Sequence, residues 1–125
     1  MAARIERTVI GAHARAVATS VADIAGYLEE HLGRRLTALM VGIADSREVG
    51  RWAKGEHTPR HDSEVALRAG YQVFQLLADV ESPHTVRAWF IGMNPQLDDE
   101  SPVEAIAAGR QRSVLAAARA YASGG

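Results

Sequence analysis

The chain has 125 residues, 47% of them hydrophobic and 23% charged, with a formal net charge of −1; this is the composition of one folded domain, or of two small halves sharing a core, and not of a disordered segment. It contains no cysteine, which excludes disulfides, thiolate metal sites and thiol catalysis and fits a reducing cytoplasm. Near-neutral charge argues against a strongly basic nucleic-acid binder, abundant alanine with few strand-forming clusters predicts an all-α fold, and no apolar run is long enough to span a membrane.

Residues 1–19 carry no clear pattern. Arg4 to Ile10 reads as an extended arm or a frayed helix, and His13 and Arg15 interrupt the apolar run that a signal peptide would need. The first clear helix starts at Ser20, which with Asp23 three residues on is a capping signal. Val21, Ile24, Leu28 and Leu32 follow at helical spacing, and Gly33 ends the helix. Arg34 to Val41 is a second, short helix with Leu36, Leu39 and Met40 inward. Gly42 breaks it, and Ile43 plugs the core from the turn. Asp45 or Ser46 caps a third helix that runs to Lys54, with Val49 and Trp52 inward, and Gly55 stops it.

A loop holding Pro59 leads to a long helix, capped by Asp62 or Ser63 and ending near Asp79, with Val65, Val73, Leu76, Leu77 and Val80 as core positions. Ser82-Pro83 opens a helix carrying Val86, Trp89 and Phe90 that ends near Gly92. Asn94-Pro95 enforces a turn. Ser101-Pro102-Val103-Glu104 is a capping box opening a short helix that Gly109 ends. Arg110 to Ala122 is the last helix, followed by a Ser-Gly-Gly tail. There is no internal repeat and no hairpin signal. A soft boundary near residue 61 divides the chain into an unassigned N-terminal arm (1–19), a helix-turn-helix region (20–61) and a small helical C-terminal region (62–125).

The charges fall in blocks. Residues 31–61 hold six basic residues against three acids, net +3; residues 79–104 hold one arginine against six acids, net −5; residues 105–125 hold three arginines and no acid. Such blocks point to separate surfaces for separate partners, or to chance variation on a solvated face. Arginine outnumbers lysine thirteen to one; phosphate recognition through guanidinium forks and codon bias in a GC-rich genome explain this equally well.

The strongest functional signal is Leu36 to Gly55. A helix-turn-helix unit needs a glycine or small residue where its helices cross, apolar inner faces, and polar or basic residues at the start and outer face of the second helix. Gly42, the inward residues and the set Ser46, Arg47, Arg51 and Lys54 meet these requirements, and those four are the candidate DNA contacts. The alternative is a plain helical hairpin whose arginines are only solvated.

The run Val49-Gly50-Arg51-Trp52-Ala53-Lys54-Gly55 resembles the end of an Xre-type recognition helix. Trp89, Asn94-Pro95, Leu97, Pro102, Ile106, Gly109 and Val114-Leu115 are similar in order to the C-terminal toxin-binding domain of the Xre/MbcA/ParS-like antitoxins. Together the resemblance covers about residues 28–122. One departure is Asp98-Asp99-Glu100-Ser101, where the family often has glycine. The resemblance implies an Xre-like N-terminal bundle followed by a toxin-binding region. It also implies an antitoxin that blocks a RES-domain toxin acting on NAD, regulates its own operon through DNA binding, and forms oligomers with itself and with the toxin. The implied toxin contacts are Trp89, Asn94, Pro95, Leu97, Pro102, Gly109, Arg110 and Arg112. Trp89 and Phe90 read first as core anchors, as aromatics usually are, with interface anchors as the alternative. Arg110 and Arg112 suit an acidic or phosphate-binding pocket on the toxin. Arg119 suits either that role or complementing the helix dipole.

His57 and His61 are four apart, but Pro59 between them and the lack of a completing pair argue against a metal site. No nucleophile elbow, phosphate loop or His-Glu-x-x-His motif occurs, so neither catalysis nor a cofactor is expected. The main alternative is a free-standing helix-turn-helix regulator. A third reading is an interaction module that has lost DNA binding.

Overall fold

A computed structural model describes residues 2–124. Met1 and Gly125, which the boundaries above include, lie outside the described residues. These form eight α-helices: α1 (Ala2–Ala18), α2 (Val21–His31), α3 (Arg34–Val41), α4 (Arg47–Ala53), α5 (His61–Ala78), α6 (Pro83–Ile91), α7 (Pro102–Ala107) and α8 (Gln111–Ala122), with a 3-10 turn at Pro95–Leu97. No strand occurs among the described residues, and no helix is long and apolar enough to cross a membrane.

The organising element is α5. Ala66, Leu67, Gly70, Tyr71, Val73, Phe74, Leu76 and Leu77 are all buried, so apolar side chains surround most of the helix, as in a helix packed from several sides. Helices α1, α2, α3, α6, α7 and α8 all pack on it. The Phe74 ring lies 5.4 Å from Tyr27 and 5.3 Å from His31, both on α2, and 5.8 Å from Phe90 on α6. One contiguous apolar cluster therefore runs from Ala12 to Ala118, and residues on both sides of position 61 share it.

Residues 2–18, left unassigned by the sequence beyond an arm or frayed helix over Arg4 to Ile10, form one continuous helix. Ile5, Ala12 and Ala16 are buried and Val9 packs beside them, which is helical periodicity written mostly in alanine. The helix lies antiparallel on α5: the Thr8 hydroxyl donates to Asp79 Oδ2 at 2.8 Å, while Arg68 Nη1 donates to the carbonyls of Ala16 and Thr19 at 2.7 and 2.8 Å. Arg68 thus satisfies carbonyls left free at the helix end and is itself paired with Glu64 at 2.9 Å.

Three expected inward residues point outward. Val65 is 43% exposed and Leu39 51% exposed. Val80 lies past the end of α5, in the turn. Val65 falls between the buried rows of α5, and Leu39 between Ala38 and Met40, which carry the inner face of α3. Neither Asp62 nor Ser63 caps α5. The helix starts one residue earlier, at His61, behind Arg60, which makes no side-chain cap bond; the Ser63 hydroxyl instead donates to the Val41 carbonyl at 3.4 Å. The expected caps at Ser20, Ser82 and Ser101 do form, each accepting the backbone N–H three residues on. At Ser101 the Glu104 carboxylate accepts the serine hydroxyl at 2.8 Å, so the box closes through side chains.

Replacing Arg68 with leucine is expected to cost about 2 kcal/mol, the range of charge-assisted hydrogen bonds, and to raise amide exchange in α1 before that in α5. Equal exchange in both helices would mean that Arg68 does not hold α1.

Candidate functional site

Helices α2, α3 and α4 pack against one another. Gly42 takes φ 78°, and the Ile43 N–H reaches back to the Ala38 carbonyl at 3.0 Å. This left-handed turn suits glycine and redirects the chain from α3 to α4. Asp45, not Ser46, caps α4: its Oδ1 accepts the Arg47 N–H at 3.0 Å, whereas Ser46 has helical dihedrals and makes no cap bond. Val49 and Trp52 are buried as expected, and the Arg34 guanidinium lies across Gly50, where a Cβ would come within 2.6 Å of it.

The outward residues of α4 are not free cations. Arg47 pairs with Asp45 through two nitrogens, at 3.0 and 3.2 Å. Arg51 pairs with Glu48 at 2.7 Å and lies 3.7 Å from Asp45. His57 Nδ1 lies 3.0 Å from Glu48. These contacts hold both carboxyls below their ordinary range: Asp45 through its bonds from Arg47, Glu48 through His57 and then Arg51. Both acids therefore stay charged at neutral pH beside the arginines. Lys54 has no ion-pair partner among the described residues. A phosphate approaching Arg47 or Arg51 must displace a carboxylate.

The eight residues implied as toxin contacts divide by burial. Leu97 is fully buried and Pro102 is buried; in this chain both are packing residues that anchor the connection between α6 and α7. Gly109 is exposed at φ 85° and ends α7, with the Arg110 N–H reaching back to the Ala105 carbonyl at 2.8 Å. Asn94 Oδ1 accepts the Gln96 N–H at 2.9 Å and opens the turn in which Pro95 is exposed.

Asp98 and Asp99 both adopt positive φ, 55° and 66°, a conformation that glycine takes at no steric cost and aspartate tolerates. Arg110 clasps this strained loop. Its Nη1 donates to Glu100 Oε1 at 2.9 Å and to the Leu97 carbonyl at 3.4 Å, and its Nη2 lies 3.4 Å from Asp98. The residue expected to meet an acidic toxin pocket is thus engaged internally, while Arg112 is exposed with no ion-pair partner among the described residues. Arg119 pairs with Glu6 of α1 at 3.3 Å.

Trp89 is half-buried and opens onto a groove of about 620 Å³ lined also by Glu81, Met93, Asn94, Pro95, Gln96, Ala117, Tyr121 and Gly124. Met93 is 82% exposed. The Tyr121 ring lies 6.4 Å from Trp89, and its hydroxyl donates to Glu81 at 2.9 Å; that bond, before burial, raises the Tyr121 pKa. The groove joins an apolar floor to several polar groups on its rim, the usual make-up of a binding surface. Sequence reading found Trp89, Asn94 and Pro95 here but missed Met93, Tyr121 and Glu81. The four-residue spacing of Ala117 and Tyr121 on α8 was the available signal. Among the described residues no three His, Cys, Asp or Glu side chains gather as a metal site.

Two outcomes are expected. Arg110→Gln should speed amide exchange at Asn94, Leu97, Asp99 and Glu100, whose N–H groups close the loop, at a global cost of about 1 kcal/mol; unchanged exchange would deny the clasp. Asp45→Asn with Glu48→Gln should strengthen binding to a DNA duplex by releasing Arg47 and Arg51, and an unchanged affinity would mean that α4 does not meet DNA. No family model, curated protein or solved structure matches the chain.

Proposed function

We propose that this chain is an antitoxin: an interaction protein that neutralises a RES-domain, NAD-degrading toxin by binding it through α6 to α8. The observation that carries this reading is the open Trp89–Met93–Tyr121 groove. It is built from the segments whose sequence resembles the toxin-binding domain of Xre/MbcA/ParS-like antitoxins, and it presents aromatic and thioether side chains of the kind that anchor protein interfaces. Functionally the chain then divides as an Xre-like helix-turn-helix region, residues 20–61, and a toxin-binding region, residues 62–125, on a common core. Trp89, Asn94, Pro95 and Arg112 would touch the toxin, with Met93 and Tyr121 added. Leu97, Pro102, Gly109 and Arg110 would hold the loop that presents them. The protein would act in the cytoplasm, as an oligomer with itself and with the toxin.

Autoregulatory DNA binding by Ser46, Arg47, Arg51 and Lys54 is the second part of the proposal. The glycine turn between α3 and α4 supports it and equally supports a free-standing regulator. The pairing of Arg47 and Arg51 with Asp45 and Glu48 weighs toward weak DNA contact at α4, and so toward the protein partner as the main function.

The test is co-purification with the product of the neighbouring gene, with NAD consumption as the readout. The expected result is a stable complex in which NAD consumption is silenced. Met93→Glu should abolish the complex while leaving the thermal unfolding of the free chain unchanged, since the side chain is already in solvent. Absence of any complex, or a Met93→Glu chain that still neutralises, would overturn the assignment.

A further inference from the structure

We propose that α1 carries a second anion site, a cleft that grips the phosphate backbone of nucleic acid, on a different element from the helix-turn-helix region. The cleft has a volume of about 320 Å³ and is lined by Arg4, Arg7, Thr8, Gly11, Arg15 and Asp79. Among the described residues, none of its three arginines forms an ion pair, whereas Arg34, Arg47, Arg51, Arg68, Arg110 and Arg119 all do. These three are therefore more available to an external anion than Arg47 and Arg51 of α4.

Local geometry gathers them. Positions 4, 7, 11 and 15 fall on one side of α1, roughly a third of a turn from the buried row of Ile5, Ala12 and Ala16 and so along the edge of its contact with α5. Position 11 is glycine, and a Cβ there would sit 3.2 Å from Arg15 Nη1. The missing side chain lets the Arg15 guanidinium fold back along the helix toward Arg4 and Arg7. With the Arg15 guanidinium at the level of Gly11, the row from Arg4 is on the order of 10 Å long, from the 1.5 Å rise per residue. Asp79 also lines the cleft, its Oδ2 accepting the Thr8 hydroxyl at 2.8 Å, and three arginines against one aspartate leave the lining net positive.

The ligand class follows from what the lining offers. Guanidinium forks match phosphate oxygens. Phosphates recur about every 3.4 Å of helix axis along one DNA strand, so such a row spans several of them. The lining contains no apolar side chain, and an acidic peptide would find no pocket for an anchor residue, whereas a phosphate backbone needs none.

The test uses the full chain and a short mixed-sequence DNA duplex, with affinity measured by fluorescence anisotropy across a salt series. Arg4→Gln, Arg7→Gln and Arg15→Gln together should weaken binding roughly tenfold or more and lower the log–log salt slope by about 2–3, since each lost phosphate contact removes about 0.9. A control chain with Arg35→Gln, Arg60→Gln and Arg87→Gln carries the same change in net charge and should keep most of the affinity. Equal losses in the two chains would reduce the effect to net charge and overturn the site. Poly-glutamate competing as well as the duplex would reassign the cleft to acidic protein segments. Loss of inorganic triphosphate binding in the α1 variant with duplex binding intact would contradict the nucleic-acid assignment in favour of a free phosphoanion.

Discussion

The Phe74 ring is the contact on which the rest of the molecule depends. It sits fully buried near the middle of α5, with Tyr27 and His31 of α2 on one side and Phe90 of α6 on another. Aromatic contacts of this kind add to the burial of apolar area. Here they join the helices that position α4 to the helices that form the Trp89 groove. The Trp89 groove and the α3–α4 segment, held by one core, cannot shift independently without disturbing this cluster, because close-packed interiors transmit strain rather than absorb it.

Around that core, charge is managed by internal pairing. Asp45 and Glu48 neutralise the outer face of α4, Arg110 binds the acids of the 94–101 loop, and Arg119 ties α8 to α1. The alternation of basic and acidic blocks along the sequence is thus partly resolved by folding. What folding leaves without an ion pair among the described residues matches what the sequence highlights only at Lys54 and Arg112; the α1 arginines, Arg35, Arg60 and Arg87 are not among its candidate contacts. Exposed surface pairs contribute little to stability, so the main effect of this pairing is on which cations remain without a counter-charge.

Most of the helical order was readable from the chain alone, because its boundaries are written in local chemistry. Ser20, Ser82 and Ser101 each sit three residues before the N–H they cap, and the glycines at 42 and 109 stand where the backbone turns left-handed. The unread parts fail for stated reasons. Helix α1 hides its inner face in alanine, too small to register as an apolar stripe. Val65 and Leu39 are apolar but out of phase with the buried rows of their helices. Arg110 looked available because its partners lie ten and twelve residues back, across a loop whose two left-handed aspartates no propensity rule anticipates. The groove depends on Met93 and Tyr121 meeting Trp89 from α8 and from a turn, a tertiary fact with only a faint local trace.

The proposed toxin contact is the groove between α6, the 94–96 turn and the end of α8, with Arg112 on the same last helix. Hydrogen exchange of the full chain, free and mixed with the product of the neighbouring gene, tests it most directly. The expected result is protection concentrated in residues 89–96 and 111–124, with α4 unchanged. Protection centred on α4, or none in residues 89–96, would contradict it.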